Sequence, residues 1–553
     1  MKKFLLPILL ITLFPLFALI SPYFKQGVPY THDGENHLAR FANYKIALKE
    51  GQLPPRFAPN LNNHYGYPVF NYNYPLANIM SVPFSALGIS YEFTFKVLMI
   101  AAFIVGSWGI YSWLKALKLG NSKTRAMAIT SFLLAPFTVN LVYVRGNIGE
   151  AWAMALFPWL LWLTHRYKDD KKVSYLESTL ILVPFFLSHN VSVLFGGIIW
   201  FIYTILILQK DWDQWKKLIW KGFISLGMSL WFWLPAIAEK NQIVLDNAGL
   251  TNQFSKHFVN PLQLITSPLE FGFSFAAPIN TMSVAVGLRG FVALILGTIL
   301  ILKKKGKSAL RKHGLIAVVF GWVLLVLQTS ISSGFWHSLP LVQFIQFPWR
   351  LSLYFVILVL PLMVMLLSHH VVFKRVFVFI LFFQLLAVLR LQPVDYRHKN
   401  TIDYDLFTQS TSTANENMPK GFSYAVAPIT EIVGDWSQSP RVFSGKADIK
   451  VERWTGSDRR YQLMVKEKSL IFEPTFYFSG WKTEINNQEI NYASMKETEG
   501  RIGYWLNPGD YEVYSHFTQD TWSRIAGNTT SIITGAIALW FIVHELINFK
   551  KKR

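Results

Sequence analysis

Residues 190–208 read NVSVLFGGIIWFIYTILIL, a run in which no position carries a formal charge. A helix of that length rises about 28 Å, close to the hydrocarbon thickness of a bilayer. Eleven comparable stretches accompany it, so the chain reads as a polytopic α-helical membrane protein. The twelve expected spans lie near residues 4–22, 92–114, 126–143, 150–165, 174–188, 190–208, 217–236, 284–302, 314–331, 350–367, 373–390 and 525–546. Composition agrees. Of 553 residues, 52% are hydrophobic and only 15% charged, and the mean hydropathy of +0.30 is too high for a water-soluble chain of this size. There is no cysteine, which excludes disulfides, thiolate metal sites and cysteine nucleophiles. The first span follows Lys2 and Lys3 in the manner of a signal peptide. It lacks a small-residue cleavage site and reads as a retained anchor.

The net charge of +21 would suggest nucleic acid in a soluble protein. Its distribution argues otherwise. Basic clusters recur on alternate loops: Lys2 and Lys3; Lys115 to Arg125; Arg166 to Lys172; Lys210 to Lys221; Lys303 to Lys312; Lys374 and Arg375; Lys550 to Arg553. That is the bias of cytoplasmic flanks. Both termini are therefore expected in the cytoplasm of a multi-pass cell-membrane protein, and nucleic acid is not an expected partner. Residues 75–90 are apolar, but a full span there would reverse the Lys115 to Arg125 loop; they are expected to form a short interfacial or re-entrant helix.

Two exterior segments stand out. Residues 23–74 are rich in Tyr, Asn and Pro and hold only three carboxylates, Asp33, Glu35 and Glu50. Residues 392–523 carry acids and bases in near balance and read as β-rich: Tyr461 to Val465, Ser469 to Glu473, Thr475 to Phe478, Lys482 to Ile485 and Tyr511 to Ser515, parted by turn signals at Ser479-Gly480, Asn486-Asn487 and Asn507 to Asp510. A small β-sandwich is expected, preceded by an aperiodic linker at 392–420. The domains are then 1–391, a membrane core with its exterior loop 23–74; 392–523, an exterior β-rich domain; and 524–553, the last span with a basic tail.

The strongest chemical signal is His32-Asp33-Gly34-Glu35-Asn36-His37, about ten residues beyond the first span. Two carboxylates two residues apart suit a general base toward a hydroxyl or a pair of ligands for a divalent cation such as magnesium or manganese. Gly34 suits close approach of the backbone to a ligand. The plainer reading is that Asp33 caps a helix running from Asn36 to Lys49. Further polar groups recur at exterior span ends: Arg145-Gly146-Asn147 with Glu150, His189-Asn190, and Phe347-Pro348-Trp349-Arg350. Arginine at that depth suits phosphate oxygens. It equally suits snorkelling to headgroups, or pairing of Arg145 with Glu150. Tyr65, Tyr67, Tyr72, Tyr74 and Trp481 suit stacking on sugar rings, or the aromatic belt of a membrane protein.

Taken in order, His32 to His37, Tyr65-Gly66-Tyr67-Pro68 with Asn71-Tyr72, Tyr143 to Gly146 with Gly149-Glu150, Leu187-Ser188-His189-Asn190 and Gln346 to Arg350 resemble bacterial membrane proteins called 6-pyruvoyl-tetrahydropterin synthase-related. The name carries no implication of pterin chemistry. The same residues look like those of GT-C-type glycosyltransferases and are similar to the YfhO group. The tail agrees, through Phe476 to Lys482, Gly500-Arg501 and Leu506 to Tyr511, although a proline often stands where this chain has Ser479. The resemblance implies a GT-C-like fold and transfer of a sugar from a polyprenyl-phosphate-linked donor to a cell-envelope glycan or lipid on the outer face, amid membrane lipids. On that analogy Asp33 is the catalytic base and Glu35 the second carboxylate or metal ligand. Beyond the analogy, the guanidinium fork makes Arg145 and Arg350 candidates for the donor phosphate. His32, His37, Glu150, His189, Asn190, Tyr65 and Tyr67 contact substrate. The Asp-x-Glu spacing, in place of Asp-x-Asp, leaves metal dependence open. A transporter or flippase, or a noncatalytic scaffold of envelope assembly, is the alternative class.

Overall fold

The computed structural model describes all residues except 1, 170–172, 246–252, 276–280, 304–305, 307, 339–345, 370, 413–414, 422–438 and 552–553. Lys171, Lys172, Lys304, Lys305, Lys307, Lys552 and Arg553 of the basic clusters therefore lie outside the described residues.

Each expected span falls on helix. Polar caps start several of them: Ser90 accepts from the Phe93 N–H ahead of Tyr91–Ala116, and Asn121 and Ser174 form capping boxes ahead of Ser122–Leu133 and Tyr175–Ser188. Among the described residues, six helices are long and apolar enough to cross a bilayer: Tyr91–Ala116, Asn190–Leu208, Ala309–Val326, Pro348–His369, Val371–Arg390 and Trp522–Asn548. Two bent pairs raise this to eight. Ser122–Leu133 meets Pro136–Arg145 at 48°, where Pro136 cannot continue the backbone ladder, and Trp212–Gly227 meets Leu230–Ala238 at 69°. The remaining expected spans are helices that fall short of that test, among them Leu288–Lys303 with 16 residues. Leu76–Ala86 has 11 residues, too short to span and consistent with an interfacial helix.

Pro348–His369 is the centre of the bundle, with 94% of its apolar window buried, whereas Trp522–Asn548 is peripheral at 6%. Tyr91–Ala116 packs along Ile148–Lys168 with small residues at the seam: a Cβ on Gly106 would stand 3.1 Å from the Ala155 Cα. Close backbone approach of this kind is how helices associate in lipid, where burial of apolar surface supplies little.

A layer at one end of the bundle is built from two distant segments. Val28–Pro29 pairs antiparallel with Tyr396–Arg397. The short helix Thr401–Asp405 then packs on Gly34–Lys49, where Lys45 reaches Asp405 at 3.0 Å and Tyr404 is fully buried. Residues 392–420, expected as a linker, are thus part of the first loop's own core, because Tyr404 and Met418 supply apolar side chains too sparse to show as periodicity.

Beyond them lies one six-stranded antiparallel sheet in the order Arg441–Trp454, Asp458–Phe476, Gly509–Phe517, Trp481–Ile485, Gln488–Glu489. Three expected strands are one: Asp458–Phe476 runs 19 residues. Its first half pairs with Gly509–Phe517 and its second with Arg501–Leu506. A single bent sheet thus replaces the expected sandwich. Inside the bend, Glu473 accepts from Tyr461 at 2.8 Å and is ion-paired to Arg459, so the buried charge is compensated.

A polar hub fixes this sheet to the bundle. Glu239, at the end of Leu230–Ala238, accepts from Arg524 at 2.8 Å, Asn71 at 3.0 Å, and Thr521 and Ser523 at 2.6 Å each. Arg524 also donates to the Ser479 and Thr518 carbonyls at 2.8 and 3.1 Å. First loop, sheet and last helix converge on one carboxylate.

Candidate active site

The site begins with a backbone splice. The His32 and Asp33 N–H groups donate to the Val144 and Arg145 carbonyls, each at 2.9 Å. The loop bearing Asp33 is thereby fastened to the turn bearing Arg145. Gly146 follows with φ of 61°, a left-handed conformation, and a Cβ there would come within 2.0 Å of the Thr31 hydroxyl oxygen. That hydroxyl accepts the Gly34 N–H at 3.2 Å. A Gly146→Val variant is expected to displace the Asp33 loop and to lower stability by about 1–3 kcal/mol. The check is the thermal midpoint Tm; an unchanged Tm would show that the splice is dispensable.

Asp33 stands at the N-terminus of Gly34–Lys49 but makes no side-chain cap bond. Its Oδ2 instead accepts from the Asn147 amide at 3.0 Å and lies 3.7 Å from Arg145. The plain capping role therefore fails, and the carboxylate, still 28% exposed, faces the Arg145 turn. Burial raises its pKa, but the Arg145 and Arg40 charges and the Asn147 bond outweigh that and hold it below the ordinary aspartate value. Asp33 is ionised at neutral pH. His32, lowered by burial and by Arg145, and His37, lowered to about 3 by burial and Arg40, are neutral there.

Glu150, fully buried in the first turn of Ile148–Lys168, gathers the rest. Its Oε1 lies 2.9 Å from Arg145, 2.7 Å from the Arg350 Nε (off the line of the N–H) and 3.9 Å from the His189 Nε2, while Oε2 has no hydrogen-bond partner among the described residues. Asn147 caps the helix by accepting the Glu150 N–H at 2.8 Å, and Tyr74 donates to the same oxygen at 3.2 Å. His189 caps the next helix: its Nδ1 accepts the Ser192 N–H at 3.2 Å. Tyr74 packs on His189 with ring centroids 4.7 Å apart. Asn190 donates to the Tyr72 carbonyl at 2.8 Å.

Aromatic walls enclose this group. Arg145 lies 5.1 Å from the Trp349 ring centroid and Arg350 4.9 Å from that of Phe347. Trp349 donates to Ser274 at 2.8 Å, and His32 stacks on Phe273 at 5.0 Å. The segment 253–275 therefore forms one side of the site. Nothing in its apolar, aperiodic sequence marked it in advance.

Five expected residues converge here: Asp33, Arg145, Glu150, His189 and Arg350. His32 and His37 border them. The others go elsewhere. Glu35 is ion-paired to Lys399. Tyr65 is buried against Phe476, with centroids 5.0 Å apart, and Tyr67 shares a 2.6 Å hydrogen bond with Thr411. Trp481 is packed between Phe57 and Phe517. Among the described residues no three His, Asp or Glu side chains are grouped to hold a metal ion, and Asp33 and Glu35 are engaged with different cations. This donor arrangement does not fit a bound cation.

Apolar spanning helices, a polar cluster at their ends and a docked sheet define an integral membrane protein with an extramembrane domain. Residues 70–394 match the model of the 6-pyruvoyl-tetrahydropterin synthase related domain, a membrane protein family, and the chain belongs to that family. An uncharacterized protein of Lactococcus lactis subsp. cremoris (strain MG1363) is 20% identical over 344 residues, 60% of this chain and 55% of the relative, so the match spans about half that relative's length. Among solved structures, the arabinofuranosyltransferase AftD from mycobacteria superposes at a TM-score of 0.43 and 17% identity, covering 70% of this chain and 26% of AftD. A mutant form of AftD gives 0.45 and 17%, covering 69% and 28%.

Proposed function

We propose that the protein is a membrane glycosyltransferase that moves a sugar from a polyprenyl-phosphate-linked donor to a cell-envelope glycan or lipid on the outer face, with both termini cytoplasmic. The observation that carries this reading is the meeting of an ionised, partly exposed Asp33 with two arginines converging on Glu150. In the proposed step the acceptor hydroxyl gives its proton to Asp33 as its oxygen bonds to the anomeric carbon. The bond from that carbon to the phosphate oxygen breaks, and the electron pair leaves with the lipid phosphate. Arg145 and Arg350 stabilise the charge that develops there. Glu150 keeps the two guanidinium groups side by side, His189 turns its N–H toward Glu150 beside them, and His32 and Asn190 border the sugar.

The test is transfer of labelled sugar from undecaprenyl-phosphate-sugar in vesicles containing the purified protein. Arg350→Ala is expected to weaken donor binding about ten-fold, the effect of losing one charge-assisted hydrogen bond, with a smaller change in turnover. Unchanged donor affinity would remove Arg350 from the phosphate site.

A further inference from the structure

Ile148–Lys168 carries Glu150 in its first turn, and its last turn lies about 24 Å further along the helix axis. There it borders, with the end of Tyr91–Ala116, a cleft of about 300 Å³, room enough for a small polar group. Lys115, His165 and Arg166 line the cleft with Ser112, Trp162 and Asp169. Cations at helix C-termini are ordinarily accounted for by the helix dipole, and Lys115 and Arg166 alone would carry no more than that. Their surroundings carry more.

His165 is only 5% exposed, yet it keeps a donor to spare. Trp113 donates to the Tyr203 hydroxyl oxygen at 3.0 Å, and that hydroxyl lies 2.7 Å from His165 Nε2. No other acceptor for the Tyr203 proton stands among the described residues, so it goes to Nε2, and the ring's own proton is on Nδ1, where nothing described accepts it. Lys115 makes no hydrogen bond or ion pair among the described residues. Arg166 lies flat on Trp162, 5.3 Å from the ring centroid, and shares Glu177 at 3.1 Å. Lys312, which has no carboxylate partner among the described residues either, is close enough to act on both His165 and Lys168. Below the cleft, the rings continue along the same two helices: Trp159 packs on Trp162 with centroids 5.5 Å apart and on Trp108 at 5.1 Å, and Trp108 is 65% exposed. A polar, cationic seat above a ladder of apolar rings matches a charged headgroup with an acyl chain beneath it, and a free ion would gain nothing from the ladder.

We infer that the cleft of Lys115, His165 and Arg166 binds the phosphate headgroup of an anionic phospholipid, with Nδ1 of His165 donating to it and the Trp108, Trp159 and Trp162 rings flanking a chain. The seat shares no residue with the Asp33, Arg145, Glu150 and Arg350 cluster, and it does not depend on the transfer reading.

The experiment uses the full-length protein, freed of lipid in neutral detergent and titrated with dioleoyl phosphatidylglycerol, dioleoyl phosphatidylcholine or inorganic phosphate while the thermal midpoint Tm is followed. Phosphatidylglycerol is expected to raise Tm, and the other two to leave it unchanged. Lys115→Glu is expected to weaken the phosphatidylglycerol response at least about ten-fold, since one attraction becomes a repulsion. Lys303→Glu, an equal charge change on a helix that does not line the cleft, is expected to leave the response as it is. A response undiminished by Lys115→Glu, an equal loss with Lys303→Glu, or an equal rise with phosphatidylcholine or inorganic phosphate overturns the assignment. Should Lys115→Glu not fold, Lys115→Met keeps the apolar stem and loses the charge, and about five-fold weaker binding is expected. Wild-type affinity in that variant overturns the assignment equally.

Discussion

Asp33→Asn is expected to reduce sugar transfer by roughly 10²- to 10⁴-fold, the contribution of a positioned general base. The amide oxygen of the variant still accepts from Asn147, so the Asp33 loop keeps its place and the loss is one of proton acceptance. Collapsed turnover with only a small fall in Tm is the expected pair of measurements; retained transfer would remove Asp33 from catalysis. The pH dependence follows from the lowered pKa. Folded Asp33 binds its proton less readily than the unfolded chain does, so its contribution to stability is complete above the unfolded value and is lost as pH falls through the folded one. Activity limited by Asp33 ionisation is therefore flat from about pH 8 to about pH 5 and declines only below the ordinary aspartate value. A decline centred near neutrality would assign the base to another group.

The second large effect is on assembly. Glu239→Ala is expected to destabilise the protein by about 3–5 kcal/mol, because Arg524 is left as a buried charge without its partner. Arg56, whose Nη2 donates to the Trp231 carbonyl and to Asn528 at 2.6 and 3.1 Å, adds a second guanidinium to the same region. The sheet and the last helix should loosen together. Protease sensitivity across 441–517 and a lowered Tm are the readouts, and a variant with wild-type Tm would refute the hub. Glu239→Gln, which keeps the oxygen that Thr521 and Ser523 bind, is expected to fall between.

Much of this was legible from residue order. Spanning helices declare themselves because lipid requires long apolar runs with internally bonded backbones. Arg145, Glu150, His189 and Arg350 stand out because charge and imidazole are costly at span ends. What stayed hidden depends on long-range pairing. Glu35 sits two residues from Asp33 in sequence, yet one helical turn directs it to Lys399, more than 350 positions away. Tyr65 and Tyr67 read as sugar platforms or belt, whereas their neighbours Phe476 and Thr411 come from the segment that follows residue 391, more than 340 positions on. The strand Asp458–Phe476 passes through three apparent elements because a bend changes its partner without breaking it, and local propensity does not register partners.

The cap formed by His189 also settles that imidazole's chemistry. A backbone N–H is able only to give a hydrogen, so the nitrogen facing Ser192 must keep its lone pair, and the ring's proton sits on the opposite nitrogen, toward Glu150. Shuttling a proton through this ring would mean unfastening the opening turn of Asn190–Leu208. The residue is thereby committed to a single tautomer, a fixed pointer rather than a relay, and the burden of moving protons falls on Asp33.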